Sequence, residues 1–306
     1  IIPNTILFNL FAENYRLAMF DNWHFEDVLD CTEIPIFTDA TVRNVILLLK
    51  KDKNGDKILY RNTKDISNFF EIVGRPKLTI MKDFIENNNQ NWGLLFKLDE
   101  KVLLIISKLK ANSVSLNSIF TETSQGLIAY DKYKGQSEEI IKNRVYHSFE
   151  KKNNEYKPWL YGEDVTRYNI RWNGKEYINY CLGIANPRDP KYFVGKRILI
   201  REITNPQIYA SITEEELYND PAIIIIKENP AIFNLELLLG ILNSKLATFY
   251  HFNSSPKASK GAFPKILVYD VNNFPLPKNI DRIIENKITI LATEILTIKK
   301  ATPSLT

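Results

Sequence analysis

The stretch KRILIRE (196–202) carries the sharpest chemical signal in the sequence. On an extended strand alternate side chains share a face, so Arg197, Leu199 and Arg201 point one way and Ile198 and Ile200 the other. Guanidiniums roughly 13 Å apart, at about 3.3 Å per residue, suit two phosphates or base edges along a nucleic acid. The same pattern also fits a solvated strand face paired with Glu202 or neighbouring acids. SSPKASKGAFPK (254–265) adds Lys257, Lys260 and Lys265 without an acid, and Gly261 beside Phe263 would let backbone approach a phosphate chain. As an ordinary soluble loop it would need no ligand. KPWLYGEDVTRY (157–168) crowds Lys157, Arg167 and Tyr168 among bulky aromatics, with Arg171 and Trp172 just beyond. Trp159 and Tyr161 read equally as core aromatics.

Other chemistries have less to stand on. The chain holds no G-x-G-x-x-G, no P-loop and no G-x-S-x-G. Glu155-Tyr156-Lys157 and Glu150-Lys151-Lys152, with Asp131 upstream as a metal ligand, would fit a metal-dependent nuclease, but so short a pattern excludes little. Two cysteines, Cys31 and Cys181, make neither a disulfide framework nor a metal cluster, which points to a reducing, cytoplasmic setting. Three scattered histidines leave few zinc ligands. A net charge of +4 is mildly basic and by itself proves no polyanionic partner.

The elements that must position these groups fall into two domains, the sensible division of 306 residues. Ile1-Ile2 ends a strand, 9–20 has helical apolar spacing, and VLD (28–30) and VRNVILLL (42–49) read as buried strands. KKDKNGDK (50–57) is a charged Asn-Gly turn linking the last two strands of this group. Such a β-α-β-β set is too small to cover both faces of a sheet, so Ile1, Ile2 and the VILLL run should leave apolar surface open. With no initial Met, the chain reads as a piece of a longer polypeptide. Residues 62–90 read as a connecting segment, and 99–109 has a helical stripe. From 157 to 270 short strands dominate, interrupted by a helix at 235–250. Asn234 can cap that helix, and Leu235, Leu238, Leu239, Leu242, Leu246 and Phe249 share one of its faces. The apolar stretch 235–252 is broken by Glu236, Asn243 and Lys245 and reads as a core helix, not a membrane span. NNFPLP (272–277) breaks the chain before a final helix at about 279–299.

QGL (125–127), KPWLYGEDVTRY (157–168), GKRILIREITNPQIYAS (195–211), LLLGILNSKLATFYH (237–251) and FPKI…NNFPLP (263–277) occur in this order. Together they resemble the C-terminal specificity domain of the TaqI-like and Eco57I-like adenine-N6 DNA methyltransferases of restriction–modification systems, across roughly 90–300. IIPNTILFN, a helix, VLDC and IPIFTDATVRNVILLLKK resemble the closing strands of the same family's methyltransferase domain. The resemblance implies an α/β remnant of a methyltransferase sheet (1–61), a connecting segment (62–90) and an α+β specificity, or target recognition, domain with a C-terminal helix (91–306). It implies double-stranded DNA as partner, with Lys157, Arg167, Tyr168, Arg171, Arg197, Arg201, Lys257, Lys260 and Lys265 as DNA-binding candidates. Phe37 sits where the family packs a Phe on the flipped-out adenine, a flat wall replacing lost stacking. Phe37 also reads as a core residue.

The family's Gly-rich cofactor motif and its Asn/Asp-Pro-Pro-aromatic motif are both missing; Asn186-Pro187-Arg188, Asn205-Pro206-Gln207 and Asn229-Pro230-Ala231 are no substitutes. The expectation is a chain that neither binds S-adenosylmethionine nor methylates alone. Its parent would do both, with an upstream methyltransferase domain as the chain's intramolecular partner. Two alternatives stay open: a metal-dependent nuclease using Glu155 and Lys157, and a protein-interaction module that has lost DNA binding.

Overall fold

The computed structural model describes residues 1–37, 39, 42–52, 55–75, 77–82, 92–95, 100–172, 174–255, 257–258 and 264–302. The chain divides into two compact units, Ile1–Leu104 and Ile105–Thr306, a boundary that falls inside the helix Glu100–Ala111. It is a mixed α/β chain with several sheets. No described helix is long and apolar enough to cross a membrane.

The first unit is built on strands β1 (Ile2–Pro3), β2 (His24–Cys31), β3 (Asn44–Lys50), β4 (Lys57–Asn62) and β5 (Leu78–Met81), in the order β1-β3-β2-β4-β5. The helix Glu13–Asn22 links β1 to β2. One face closes over Phe20, Phe25, Val28, Val45, Ile58, Tyr60 and Trp92, with Phe20 and Trp92 edge-to-face at 4.8 Å. The opposite face is only partly apolar: Leu29, Cys31 and Ile72 cluster there, while Asp27, buried, pairs with Arg61 and Lys77 at 2.9 Å each. Ile1 and Leu48 are exposed and Ile2 is half-buried, whereas Val45 is enclosed.

Two expectations change here. β3 and β4 both flank β2, antiparallel and parallel to it, so they are not the hairpin neighbours that an Asn-Gly turn would join, and residues 53 and 54 of that turn lie outside the described residues. Spanning two inter-strand gaps, about 9.6 Å at 4.8 Å each, is more than a two-residue Asn-Gly turn can do. The segment expected to be a connector carries β5, which pairs with β4 and extends the sheet.

The second unit starts with β6 (Ser113–Ser115) and β7 (Thr123–Gln125). Then come β8 (His147–Ser148), β9 (Tyr156–Leu160), β10 (Val165–Thr166), β11 (Asn169–Ile170) and β12 (Tyr177–Asn179). It continues through β13 (Arg197–Arg201), β14 (Ala210–Thr213), β15 (Tyr218–Asn219) and β16 (Ile223–Lys227), and ends its strands with β17 (Pro275–Pro277), paired to β6. A central antiparallel sheet runs β14-β13-β16-β7, and a second sheet runs β15-β9-β12-β8. The alternation read from KRILIRE explains the layering. Leu199, Ile223 and Ile225 face a core with Trp159, Leu160, Ile178, Phe193 and Tyr218. Ile198, Ile200, Ile224 and Ile226 face Leu235, Leu238, Leu239 and Leu242 of the helix Leu235–Leu242. A sheet covered on both faces reads as continuous apolar runs, as IIII (223–226) does.

Asn234 caps the helix as expected, accepting from Leu237 N at 2.8 Å. The single helix expected over 235–250 is two. The first ends at Leu242, and Ser244 caps a second, Lys245–Ser254, by accepting from Ala247 N at 3.0 Å. Leu246 therefore leaves the apolar face and is exposed. Asp281 caps the final helix, Arg282–Ala301. At Gly126 a Cβ would lie 1.9 Å from the Asp220 carbonyl oxygen, so β7 can leave the central sheet here only without a side chain.

Candidate nucleic-acid interface

The opening residues of the matter are Arg167 and Tyr168. β10 and β11 pair Val165 with Ile170 and Thr166 with Asn169, so Arg167-Tyr168 is the two-residue tip of a hairpin, and Tyr168 takes a positive φ of 59°. Asn243 holds this tip. Its side chain accepts from Ala210 N at 3.1 Å and donates to Ala210 O at 3.0 Å. Tyr168 N donates to the same carbonyl at 2.9 Å, and Arg167 Nη2 donates to Asn243 O at 2.7 Å. Asn243 is thus both the break between two helices and the latch of the hairpin onto β14. Upstream, Trp159 is buried, and the Tyr161 hydroxyl donates to Glu176 at 2.7 Å while Arg144 donates to both. The aromatics of KPWLYGEDVTRY hold the loop.

Beside that tip lies the end of β13. Arg201 N donates to Tyr209 O at 3.0 Å, and the Arg201 guanidinium sits 5.3 Å over the Tyr209 ring. The segment 264–266 runs alongside 202–204: Thr204 N donates to Pro264 O, and Ile266 N donates to Glu202 O. Lys265 Nζ pairs with Glu202 at 3.0 Å, and Lys265 N donates to the carbonyl of Lys257, whose side chain is exposed. Beneath them His251 is buried against Thr204 Oγ1 at 3.1 Å, and burial pulls its imidazole down to about 4. Backbone hydrogen bonds thus bring the segments that carry Arg167-Tyr168, Arg201, Lys257 and Lys265 to the same end of β13, with Tyr168 packed on the helix-side core and Arg201 on the opposite face of the strand, the face of Leu199. Lys260 lies outside the described residues.

The other candidates do not join them. Arg197, four residues along β13 and roughly 13 Å away, is fully buried. Its guanidinium donates to the carbonyls of Gly195, Glu215 and Leu217 at 2.8, 2.9 and 3.1 Å, and burial draws its pKa down to about 10. This corrects the reading of Arg197 as a DNA contact. The two arginines share a face, but that face is core at one end and open at the other. Lys157 pairs with Glu216 at 2.8 Å, in the same turn region as the Arg197 acceptors. Arg171 is exposed, and its backbone N–H donates to Asp164 O. Phe37, in the first unit, is half exposed after β2, which sets aside its reading as a core residue.

A nuclease centre would need Asp131 beside Glu155 and Lys157. Instead Asp131 caps the turn 132–134 through Tyr133 N, and Lys157 is engaged by Glu216. Among the described residues no group of three or more His, Cys, Asp or Glu is arranged to hold a metal.

Sequence reasoning missed Tyr209 and Asn243. Both lie inside quoted motifs, but only tertiary contacts give them work. It also missed Asp220, whose side chain accepts from Ala222 N at 3.0 Å. Burial, and then the charges of Glu202 and Asp164, push its carboxyl up to about 6.

The family model of the TaqI-like C-terminal specificity domain matches residues 157–276. Arg167, Tyr168, Arg201, Lys257 and Lys265 all lie within the matched segment. A putative type II restriction enzyme and methyltransferase of Methanocaldococcus jannaschii is 27% identical over 299 residues, 91% of this chain and 23% of the relative. The chain thus spans about a quarter of the length of the curated relative it matches. Its fold is similar to that of the type IIL restriction-modification enzyme MmeI, solved in complex with DNA (TM-score 0.56, 13% identity, 99% of this chain, 42% of that one). The type IIG restriction endonuclease BpuSI also matches (TM-score 0.46, 12% identity, 96% and 41%).

Arg197→Ala should destabilise the second unit by at least about 3 kcal/mol, since it strands three carbonyls at roughly 1–3 kcal/mol each. DNA affinity of the folded fraction should not change. Urea denaturation with binding measured well below the midpoint checks both. Asp220→Asn should change stability with pH in a defined direction. Because the folded-state pKa is raised, the stability associated with a neutral Asp220 is present at low pH and lost as pH rises from the unfolded value, 3.8, through about 6. The asparagine variant should therefore gain about 1–3 kcal/mol over wild type at pH 8, from roughly 1.4 kcal/mol per pKa unit. The gain should vanish near pH 4, as read by thermal melts at the two pH values.

Proposed function

We propose that this chain is the DNA-recognition portion of a restriction–modification enzyme that methylates adenine at N6. The observation that supports it is that the segments carrying Arg167, Tyr168, Arg201, Lys257 and Lys265 meet at one end of β13 within the stretch matched by the TaqI-like specificity domain, where Arg201 rests on the Tyr209 ring, while Arg197 at the other end is buried against three carbonyls. A duplex offers its phosphates along one continuous surface, so a reader needs its cations on one side. The relative's name, restriction enzyme and methyltransferase, agrees with this assignment. In this reading S-adenosylmethionine and the methyl-transfer motif belong to the remainder of the parent protein. β1, β2 and β3 are the closing strands of its methyltransferase sheet, and Phe37 is the wall for the flipped adenine.

Fluorescence anisotropy with duplex DNA should show affinity that falls steeply and linearly on a log–log plot against salt. Lys257→Ala should weaken binding to all sequences and reduce that slope by about one unit. Binding indifferent to salt, with stable capture of a protein partner, would favour the interaction-module alternative. In the full-length parent, Phe37→Ala should slow methyl transfer by an amount corresponding to roughly 1–3 kcal/mol of lost base stacking, with duplex affinity nearly unchanged. Wild-type transfer by that variant would leave Phe37 a plain surface residue.

A further inference from the structure

Arginines in the second unit differ in what their guanidinium donors already serve. Arg144 donates to Tyr161 and Glu176, Arg167 to Asn243 O, Arg188 to Gln125 O and Asn186 Oδ1, and Arg197 to three carbonyls. Arg171 and Arg282 are exposed, with neither a ring beneath them nor a side-chain hydrogen bond among the described residues. Arg201 combines two properties the others lack together. It is positioned, half-buried and seated 5.3 Å over the Tyr209 ring. Its guanidinium also makes no hydrogen bond or ion pair among the described residues.

The ring itself is fixed at both ends. Arg201 N donates to Tyr209 O, tying the two backbones together, and the Tyr209 hydroxyl donates to Asn205 O at 3.1 Å. A cation resting on an aromatic face is held by the ring's quadrupole, which uses none of its N–H donors. The outcome is a planar fork, held in place before any ligand arrives, with none of its donors taken by a described residue.

We propose that Arg201 reads a guanine in the major groove and that Tyr209 is the positioning residue that aims it. The choice of base follows from donor and acceptor patterns. Guanine presents two adjacent acceptors, N7 and O6, to a pair of parallel N–H donors. Adenine pairs its acceptor with a donor, thymine offers one acceptor and a methyl group, and cytosine offers a donor. A lysine at this position could not make the paired contact. The inference rests on the DNA-recognition reading and names the base that one side chain of it selects.

The test is selection of bound duplexes from a randomised library by the 306-residue chain and its variants, with sequencing of the bound pool. The wild-type motif should contain a guanine at which Arg201→Ala and Arg201→Lys both relax preference, by about 5- to 150-fold. Tyr209→Phe, which keeps the ring, should retain the motif. Tyr209→Leu should weaken preference at that same guanine by roughly 2- to 5-fold, leaving the other positions and the affinity for non-specific DNA unchanged. A role for Tyr209 in folding alone would not change the preference at one base. A motif untouched by Arg201→Ala, or a loss equal for all sequences and restored by Arg201→Lys, would overturn this inference and leave the DNA-recognition reading standing. Absence of any salt-dependent duplex binding by wild type would overturn that reading, and the guanine assignment with it.

Discussion

Burial of β13 and β16 on both faces is the constraint from which the second unit follows. Ile198, Ile200, Ile224 and Ile226 pack on one side and Leu199, Ile223 and Ile225 on the other, all fully buried. Each such side chain contributes on the order of 1.5–3 kcal/mol relative to exposure, so neither layer can be removed without exposing the other side of the same strands. The leucines of Leu235–Leu242 and the aromatic layer around Trp159 are the two coverings. That sandwich fixes where β13 ends, and its ends decide which arginine meets solvent.

Polar groups inside this frame are satisfied by a few side chains that imitate backbone. Asn243 serves Ala210 as a strand neighbour would, with one bond given and one received. Serving there, it ends the first helix and leaves its own carbonyl to Arg167. Arg197 does the same for three carbonyls in turns that no strand reaches. Buried carbonyls without partners are costly, so a guanidinium with several donors in a fixed fork is an effective remedy.

Electrostatics then separates the two ends of the central sheet. At one end Lys157 meets Glu216 and Lys196 meets Glu236. At the other, Lys265 is matched by Glu202, and Asp220 is held back from ionising by burial and by its acidic neighbours. Arg201 is seated on a ring, with no carboxylate partner among the described residues. The modest net charge of +4 is therefore no measure of what any one end of the sheet presents.

Much of this was legible in the residues. Period-two alternation in KRILIRE determined which side chains share a face, and the IIII run determined a strand buried on both sides, since only a doubly covered sheet tolerates it. Asn234 marked a helix start because its side chain can accept a free N–H. The order of five motifs pointed to the family matched over 157–276. Strand pairing was another matter. That β4 lies beside β2 and not β3, and that 78–81 extends the same sheet, depends on partners far along the chain. The difference between Arg197 and Arg201 was equally beyond the sequence. Both are arginines at the ends of one strand, on one face, and local chemistry gives them the same role. Which of them is sealed against three carbonyls and which rests on Tyr209 is settled by the turns that close over one end of β13 and stay clear of the other. Only the assembled fold brings those turns there.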